Sequence, residues 1–224
     1  MNFDAAIFDL DGTLLDTLSD LCNSANAALT QVGRPTHDCD AYRTFVGQGV
    51  DNLFIDALGP EHQHLHSQAV AAFHAHYANH RFDTTVPYPG IWRLLNRLRE
   101  QSIRLGVLSN KPHLATIDVI DRYFSDVEWA VVRGHKPGTA PKPVPASARE
   151  VIAEMGVAAA CCVYVGDTKV DMLTGKAAGM YTVGVSWGFR GVKELHDNGA
   201  DAVVDSADEL IDLILGRQVD PAMN

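Results

Sequence analysis

AIFDLDGTLLDT (residues 6–17) starts as an apolar run and breaks abruptly into a polar turn. The wider segment FDAAIF (3–8) reads as a short buried strand, and DLDGT reads as the turn that ends it. Asp9 and Asp11 stand two apart just beyond that strand. In extended backbone, residues two apart point the same way, so both carboxylates lie on one side of the chain. Two such groups repel, and one tends to hold a proton unless a cation intervenes. That suits a nucleophile paired with a general acid/base. Asp and Gly are also common turn formers, so a capped turn explains the same letters without chemistry.

Beyond this turn the pattern becomes helical. Leu18, Leu21, Cys22, Ala25, Ala28, Leu29 and Val32 recur at threes and fours, and Gly33 with Pro35 stops the run. Two further helical stretches follow, near 50–58 and 61–80. After the PYPG turn (87–90) strands and helices alternate. Helices are expected at 91–100, 112–122, 146–155, 169–179 and 206–215. Strands are expected at 103–108, 127–132, 161–166, 181–186 and 200–204. Ser147 and Glu150 are spaced as a capping box for the 146–155 helix. Alternation of this kind gives an α/β fold with a doubly wound parallel sheet. The helical block interrupts it directly after the first strand. The expected division is a core of 1–15 and 86–224 with an inserted small helical domain over 16–85.

In doubly wound sheets ligands bind beyond the carboxyl ends of the strands. Asp9 and Asp11 fall there, as do Ser109 and Asn110 after IRLGVL and Asp167 with Asp171 in GDTKVD (166–171). Asp167 follows an apolar strand directly, and with Asp9 it offers hard oxygen ligands for Mg²⁺. Asp171 falls in the first turn of the next helix, where an acidic side chain also suits the helix dipole. Ser109 and Asn110 supply a hydroxyl and free N–H groups for an anion, or serve as a plain helix N-cap. RGHKPGTAPKPVP (133–145) carries two lysines followed by proline. Lys142 is preferred to Lys136 as a phosphoryl ligand because it immediately precedes a helix. A stiff linker is the competing reading of this stretch.

The 224 residues carry 18 Lys+Arg against 28 Asp+Glu, a net charge of −10, with 46% hydrophobic and 21% charged residues. That is the composition of a globular protein with a large core. The acidic balance argues against nucleic acid and anionic membranes as partners. MNFDAAIFDL (1–10) does not read as a signal peptide, and no apolar run approaches a membrane span. Cys22, Cys39, Cys161 and Cys162 form no CxxC pair and are expected to be reduced thiols in a cytoplasmic protein, not a zinc site. There is no P-loop, and GQG (47–49) lacks the third glycine of a dinucleotide fingerprint. Six of the ten histidines fall between 62 and 80. His62/His66 and His76/His80 are spaced i, i+4, and solvated helix faces are preferred to a metal site because no carboxylate or thiol completes a set.

Four segments, in order, resemble the haloacid dehalogenase superfamily of phosphohydrolases over essentially the whole chain. AIFDLDGTLLDT matches the hhhhDxDGTLxDT motif, LGVLSN the strand ending in Ser/Thr, Lys142 of KPVP the motif lysine, and GDTKVD the GDxxxD motif. The helical insert resembles the small helical cap of the first cap class. FVGQGVDNL (45–53) is similar to the VGxG cap loop of phosphoglycolate phosphatases. The resemblance implies that Asp9 attacks phosphorus while Asp11 serves the leaving group and then the water. It implies Mg²⁺ held by Asp9, Asp11 through its carbonyl oxygen, and Asp167. Ser109, Asn110 and Lys142 would hold phosphoryl oxygens, with Asp171 and Thr13 in support. The implied substrate is a small phosphorylated metabolite, first 2-phosphoglycolate. A beta-phosphoglucomutase or inorganic pyrophosphatase is the alternative, and a non-catalytic phosphate-binding regulator a third reading. In the cap, Arg43 and Gln48 are candidates for touching substrate, Arg43 by pairing with a carboxylate. Lys111 and Arg190 lie near expected strand ends without an assigned role. The chain is expected to be a monomer or homodimer.

Overall fold

A computed structural model describes residues 3–216. The outer ends of the expected core, 1–2 and 217–224, lie outside the described residues. Six parallel strands form one sheet: β1 (Ala5–Phe8), β4 (Arg104–Pro112), β5 (Trp129–His135), β6 (Cys162–Gly166), β7 (Tyr181–Val185) and β8 (Ala202–Val204). Their order across the sheet is β5-β4-β1-β6-β7-β8. β1 is buried at every residue and pairs with β4 on one side and β6 on the other. The chain therefore leaves β1 in one direction and later returns to build in the other. That reversal opens a crevice beyond the carboxyl end of β1.

The sheet is covered on both faces. Apolar residues such as Phe8, Leu94, Leu98, Val107 and Leu210 form one core, joined by α5 (Ile91–Glu100), α6 (His113–Phe124) and α10 (Ala207–Ile214). Ile7, Val151, Met155 and Tyr164 form the other, joined by α7 (Ala146–Met155) and α8 (Lys169–Ala178). Continuous apolar strands of this kind need both faces buried.

The helical block is α1 (Leu18–Gln31), α2 (Cys39–Phe45), α3 (Val50–Leu58), a 3-10 turn (Pro60–Leu65) and α4 (His66–His80). It has an apolar core of its own, in which Leu21, Leu29, Tyr42, Phe54 and Phe73 are buried. Phe189, from the loop after β7, packs into that core from the sheet side. The chain enters and leaves the block through a short antiparallel ribbon, β2 (Leu15–Asp16) with β3 (Val86–Pro87). Beside this ribbon, buried Asp20 accepts backbone N–H bonds from Thr84 and Thr85.

Three expectations are corrected. Cys22 and Cys39 are not free thiols but a disulfide linking α1 to the start of α2; Cys161 and Cys162 are free. The cytoplasmic expectation loses the support it drew from four reduced thiols. Ser147 caps no helix: α7 already begins at Ala146 after Pro145, and Glu150 pairs with Arg133 instead. The box stands at Thr168 and Asp171, at the start of α8, where the side chain of each accepts from the other's backbone N–H. His62 and His66 do not share an α-helical face, because the backbone breaks helical geometry at His62. His76 and His80 do stack, with ring centroids 4.1 Å apart, and they bond Ser24 and Asp83 respectively. The short α2 and α9 (Val192–Asp197) were not expected.

Candidate active site

Four acidic side chains and two lysines converge beyond β1. Asp9, Asp167 and Asp171 are each buried, and one carboxylate oxygen from each lies within 4.8 Å of the others. The turn after β1 sets this up. Gly12 has φ +86, and a Cβ there would meet Asp167 Oδ2 at 2.3 Å. Gly188 is equally confined, with a Cβ only 2.2 Å from that of Asp167. Only glycine lets both loops close on this carboxylate.

Lys142 sits between Asp9 and Asp171. Its Nζ donates to Asp171 Oδ1 at 2.7 Å, Tyr164 Oη at 3.0 Å and the Leu108 carbonyl at 3.1 Å. Its three protons are shared among these acceptors and Asp9. Asp9 Oδ1 lies 2.9 Å from the same Nζ and pairs with its charge. Burial pushes Asp9 up to about 6; Lys142 opposes this, while Asp171 and Asp11 add to it. Burial, then Asp171 and Asp9, hold Asp167 well above the usual carboxylate range. Burial disfavours the charged form of Lys142, but Asp171 and Asp9 more than compensate and hold it well above the ordinary lysine value.

The remaining expected residues divide clearly. Thr13 donates to Asp167 Oδ1 at 3.2 Å, and the Phe189 N–H donates to Oδ2 at 2.8 Å. Asp171 is fully engaged, since its Oδ2 accepts from the Thr168 N–H and hydroxyl. Ser109 lines the cleft and is buried. Asn110 also lines it, but its amide binds the backbone of Lys142 through both its oxygen and its nitrogen, and Gly47 as well. It braces the lysine loop against the helical block. Neither Ser109 nor Asn110 is a helix cap, because β4 runs on to Pro112 and α6 begins at His113. Asp11 lines the cleft beside Asp9 but is not one of the three clustered carboxylates, and pairs with Lys111. Arg43 and Gln48 do not line the cleft; Arg43 donates to the Gly188 carbonyl and to Asp40. Lys136 is exposed, whereas Lys142 is 3% exposed.

A cavity of about 300 Å³ runs from Asp9 and Asp11 between the sheet and the helical block. Val46, Val50, Leu53 and Phe73 give it a largely apolar wall on the helical side. Two contributions were missed from the sequence. Lys111 pairs with Asp11 at 2.9 Å, and Arg190 fastens the 44–46 segment by donating to the carbonyls of Thr44 and Val46. A lysine two residues after Ser109 was the only signal for the first; nothing local marks the second.

A parallel sheet with its switch point at an aspartate turn, a buried carboxylate cluster met by Lys142, and a Lys111–Asp11 pair beside it make an α/β protein with an inserted helical block and a cleft built of charged groups. The chain belongs to the haloacid dehalogenase-like hydrolases, whose family model matches residues 6–185. A phosphoglycolate phosphatase of Cupriavidus necator is 32% identical over 221 residues, covering 97% of this chain and 96% of that protein. A phosphoglycolate phosphatase of Pseudomonas fluorescens is 31% identical, covering 92% of this chain and 77% of its own length. A crystal structure from Lactobacillus delbrueckii, provisionally described as a phosphoglycolate phosphatase, superposes with a TM-score of 0.89. It is 33% identical and covers 96% of this chain and all of that one. Among the described residues no helix is long and apolar enough to cross a membrane.

Proposed function

We propose that this hydrolase is a Mg²⁺-dependent phosphatase that cleaves a small phosphomonoester, 2-phosphoglycolate first, through an aspartyl-phosphate on Asp9. The observation that carries the reading is Asp9 itself. It is buried at the head of the cleft and paired with Lys142 at 2.9 Å. A buried carboxylate that opens on a cleft, beside a lysine and two further carboxylates that shift its proton affinity, is a functional candidate.

The donor set fits a hard divalent cation. Asp9 and Asp167 offer carboxylate oxygens close together, and the glycines at 12 and 188 leave room for nothing bulkier around Asp167. Asp9, Asp167 and the Asp11 carbonyl would hold Mg²⁺, which when bound neutralises phosphoryl charge. Asp171 belongs to the same cluster, but its oxygens already serve Thr168 and Lys142. Its role is to aim Lys142.

The steps assigned to the chain's own residues are these. Asp9 attacks phosphorus, and the bond from phosphorus to the ester oxygen breaks. Asp11, ion-paired with Lys111 in this structure, takes a proton from solvent as the substrate binds and gives it to the leaving alkoxide. It then takes a proton from the water that attacks the phosphoryl-aspartate, which restores Asp9 and releases phosphate. Lys142 and Ser109 hold phosphoryl oxygens. A covalent intermediate divides one high barrier into two lower ones. Fixed charges in a site shielded from water do the rest. Residues 16–85 act as a cap that shields the cleft and meets the leaving group. Lys142 also counters the chain's overall negative charge where the anion must arrive.

The test is phosphate release with Mg²⁺ from 2-phosphoglycolate, beta-glucose 1-phosphate and pyrophosphate, side by side. The proposal expects 2-phosphoglycolate to be turned over with the highest kcat/KM. A clear preference for either of the others replaces the substrate assignment, and release from none rejects the phosphatase reading.

A further inference from the structure

Among the described residues, the cleft contains one buried cation that the proposed reaction does not use. Lys111 lies near the end of β4, with its side chain only 3% exposed. Its Nζ donates to Asp11 Oδ1 at 2.9 Å, Asp11 Oδ2 at 3.1 Å and Tyr77 Oη at 2.6 Å. Tyr77 comes from α4, so this contact joins the sheet to the helical block. A phenol hydroxyl both accepts and donates. Tyr77 accepts from Lys111, and among the described residues its own proton meets no acceptor. Lys111 and Tyr77 both line the cavity.

The other cations are differently placed. Arg43 is outside the cleft and donates to Gly188 and Asp40. Arg81 lines the cleft but is already paired with Asp118 at 2.8 Å. Much of the remaining wall is apolar. If Asp9 takes the phosphorus and Asp11 faces the ester oxygen, the first carbon of the leaving group lies against Asp11. It therefore lies within reach of Lys111 Nζ, hydrogen-bonded to that same carboxylate.

We propose that Lys111 and the Tyr77 hydroxyl form a receptor for an anionic group on the carbon that bears the phosphate ester. They would select phosphorylated 2-hydroxycarboxylates over phosphomonoesters with uncharged leaving groups. The inference rests on the reading of this cleft as a phosphomonoester site. A substrate carboxylate would take the spare proton of the phenol and one N–H that Lys111 otherwise gives to Asp11, which needs one donor fewer once it holds the proton for the leaving group; both groups are shielded from water. An uncharged leaving group offers these groups nothing, and a buried polar pair left unmatched is a strong basis for rejection.

The test is binding in an Asp9→Asn background with Mg²⁺ present, using 2-phosphoglycolate and ethyl phosphate as the two probes. Calorimetry should show 2-phosphoglycolate preferred. Lys111→Met should lower that preference about 10- to 100-fold, and Tyr77→Phe about 2- to 10-fold, in line with charged and neutral hydrogen bonds respectively. Equal weakening of both probes would mean that Lys111 only orients Asp11, and would overturn the proposal. So would the absence of any preference in the Asp9→Asn host, or its loss in Arg81→Met and not in Lys111→Met. Should Lys111→Met fail to fold, Tyr77→Phe carries the test alone. Turnover of 2-phosphoglycolate by the unaltered protein is measured separately. Turnover with an unmoved preference rejects the receptor alone; a moved preference without turnover rejects the reaction alone.

Discussion

Replacing Asp20 with Asn tests how the helical block is fastened to the sheet. Asp20 stands in the first turn of α1 and is buried. Its carboxylate accepts the Thr84 N–H at 3.0 Å and hydroxyl at 2.5 Å, and the Thr85 N–H at 2.9 Å and hydroxyl at 2.8 Å. One side chain thus holds both residues just before the chain returns through β3. Asn keeps one acceptor and turns an NH₂ toward donors. The two hydroxyls can rotate to other acceptors, but the buried Thr85 N–H cannot. Stranding one buried donor and losing the charge on the remaining bonds should cost about 2–4 kcal/mol. Urea unfolding measures this as a lower midpoint at unchanged slope. The sign of the pH dependence follows from the same bonds. Burial alone would raise the Asp20 pKa, but the bonds from Thr84 and Thr85 outweigh it and depress it in the folded state. Its contribution is therefore fully present above the unfolded-state value, about 3.9. It is lost as pH falls through the lower folded value. The gap between wild type and Asp20→Asn should be constant from neutrality to about pH 5 and shrink below about pH 4, as the linkage requires. A gap under about 0.5 kcal/mol, the range of an ordinary surface change, would refute the reasoning. A gap that stays level through the acid range would refute its electrostatic half.

Lys142→Ala leaves Asp9 and Asp171 buried without their shared cation, and should destabilise by about 3–5 kcal/mol while nearly abolishing turnover. Lys136→Ala should stay within about 0.5 kcal/mol of wild type, so unfolding and activity curves for the pair decide which lysine belongs to the site. The Cys22–Cys39 bond closes a separation of 17 residues, and its reduction should lower stability by roughly 3 kcal/mol. Thiol titration of the unfolded protein should find two free thiols before reduction and four after it. Mg²⁺ should raise the melting temperature of the wild type by binding the folded state, and chelation should lower it again. Asp167→Asn should lose most of that shift, and an undiminished shift would place the metal elsewhere.

How much of this could be read without coordinates differs from residue to residue. β1 and its turn are plain because an unbroken apolar strand ending in DLDGT has little freedom to be anything else. The alternation after residue 87 is equally clear, since the inner strands β6 and β7 are buried almost throughout and read as continuous apolar runs. Lys142 was separable from Lys136 by its place before α7. Pairings across long separations left little trace. Lys111, Asp11 and Tyr77 are brought together by the sheet and α4, and no local pattern records it. Cys22 and Cys39 meet because α2 folds back on α1, and α2 buries only Tyr42, too little to show a period. The S-x-x-E spacing points to a capping box at Ser147, but α7 already begins at Ala146 after Pro145. The box stands instead at Thr168 and Asp171, in letters already read as chemistry. Asn110 has the residue type of an anion ligand, yet its amide is fully engaged in bracing Lys142.

The central claim is that Asp9 is the nucleophile of a phosphatase. It is tested most directly by comparing phosphate release from 2-phosphoglycolate, with Mg²⁺, by wild type and by Asp9→Asn. The account expects turnover by the wild type and a loss of about 10⁴-fold or more in the variant, as when a nucleophile is removed from other covalent catalysts. The variant should keep a cooperative unfolding transition. Release by a folded Asp9→Asn protein at a rate near that of the wild type would contradict the assignment.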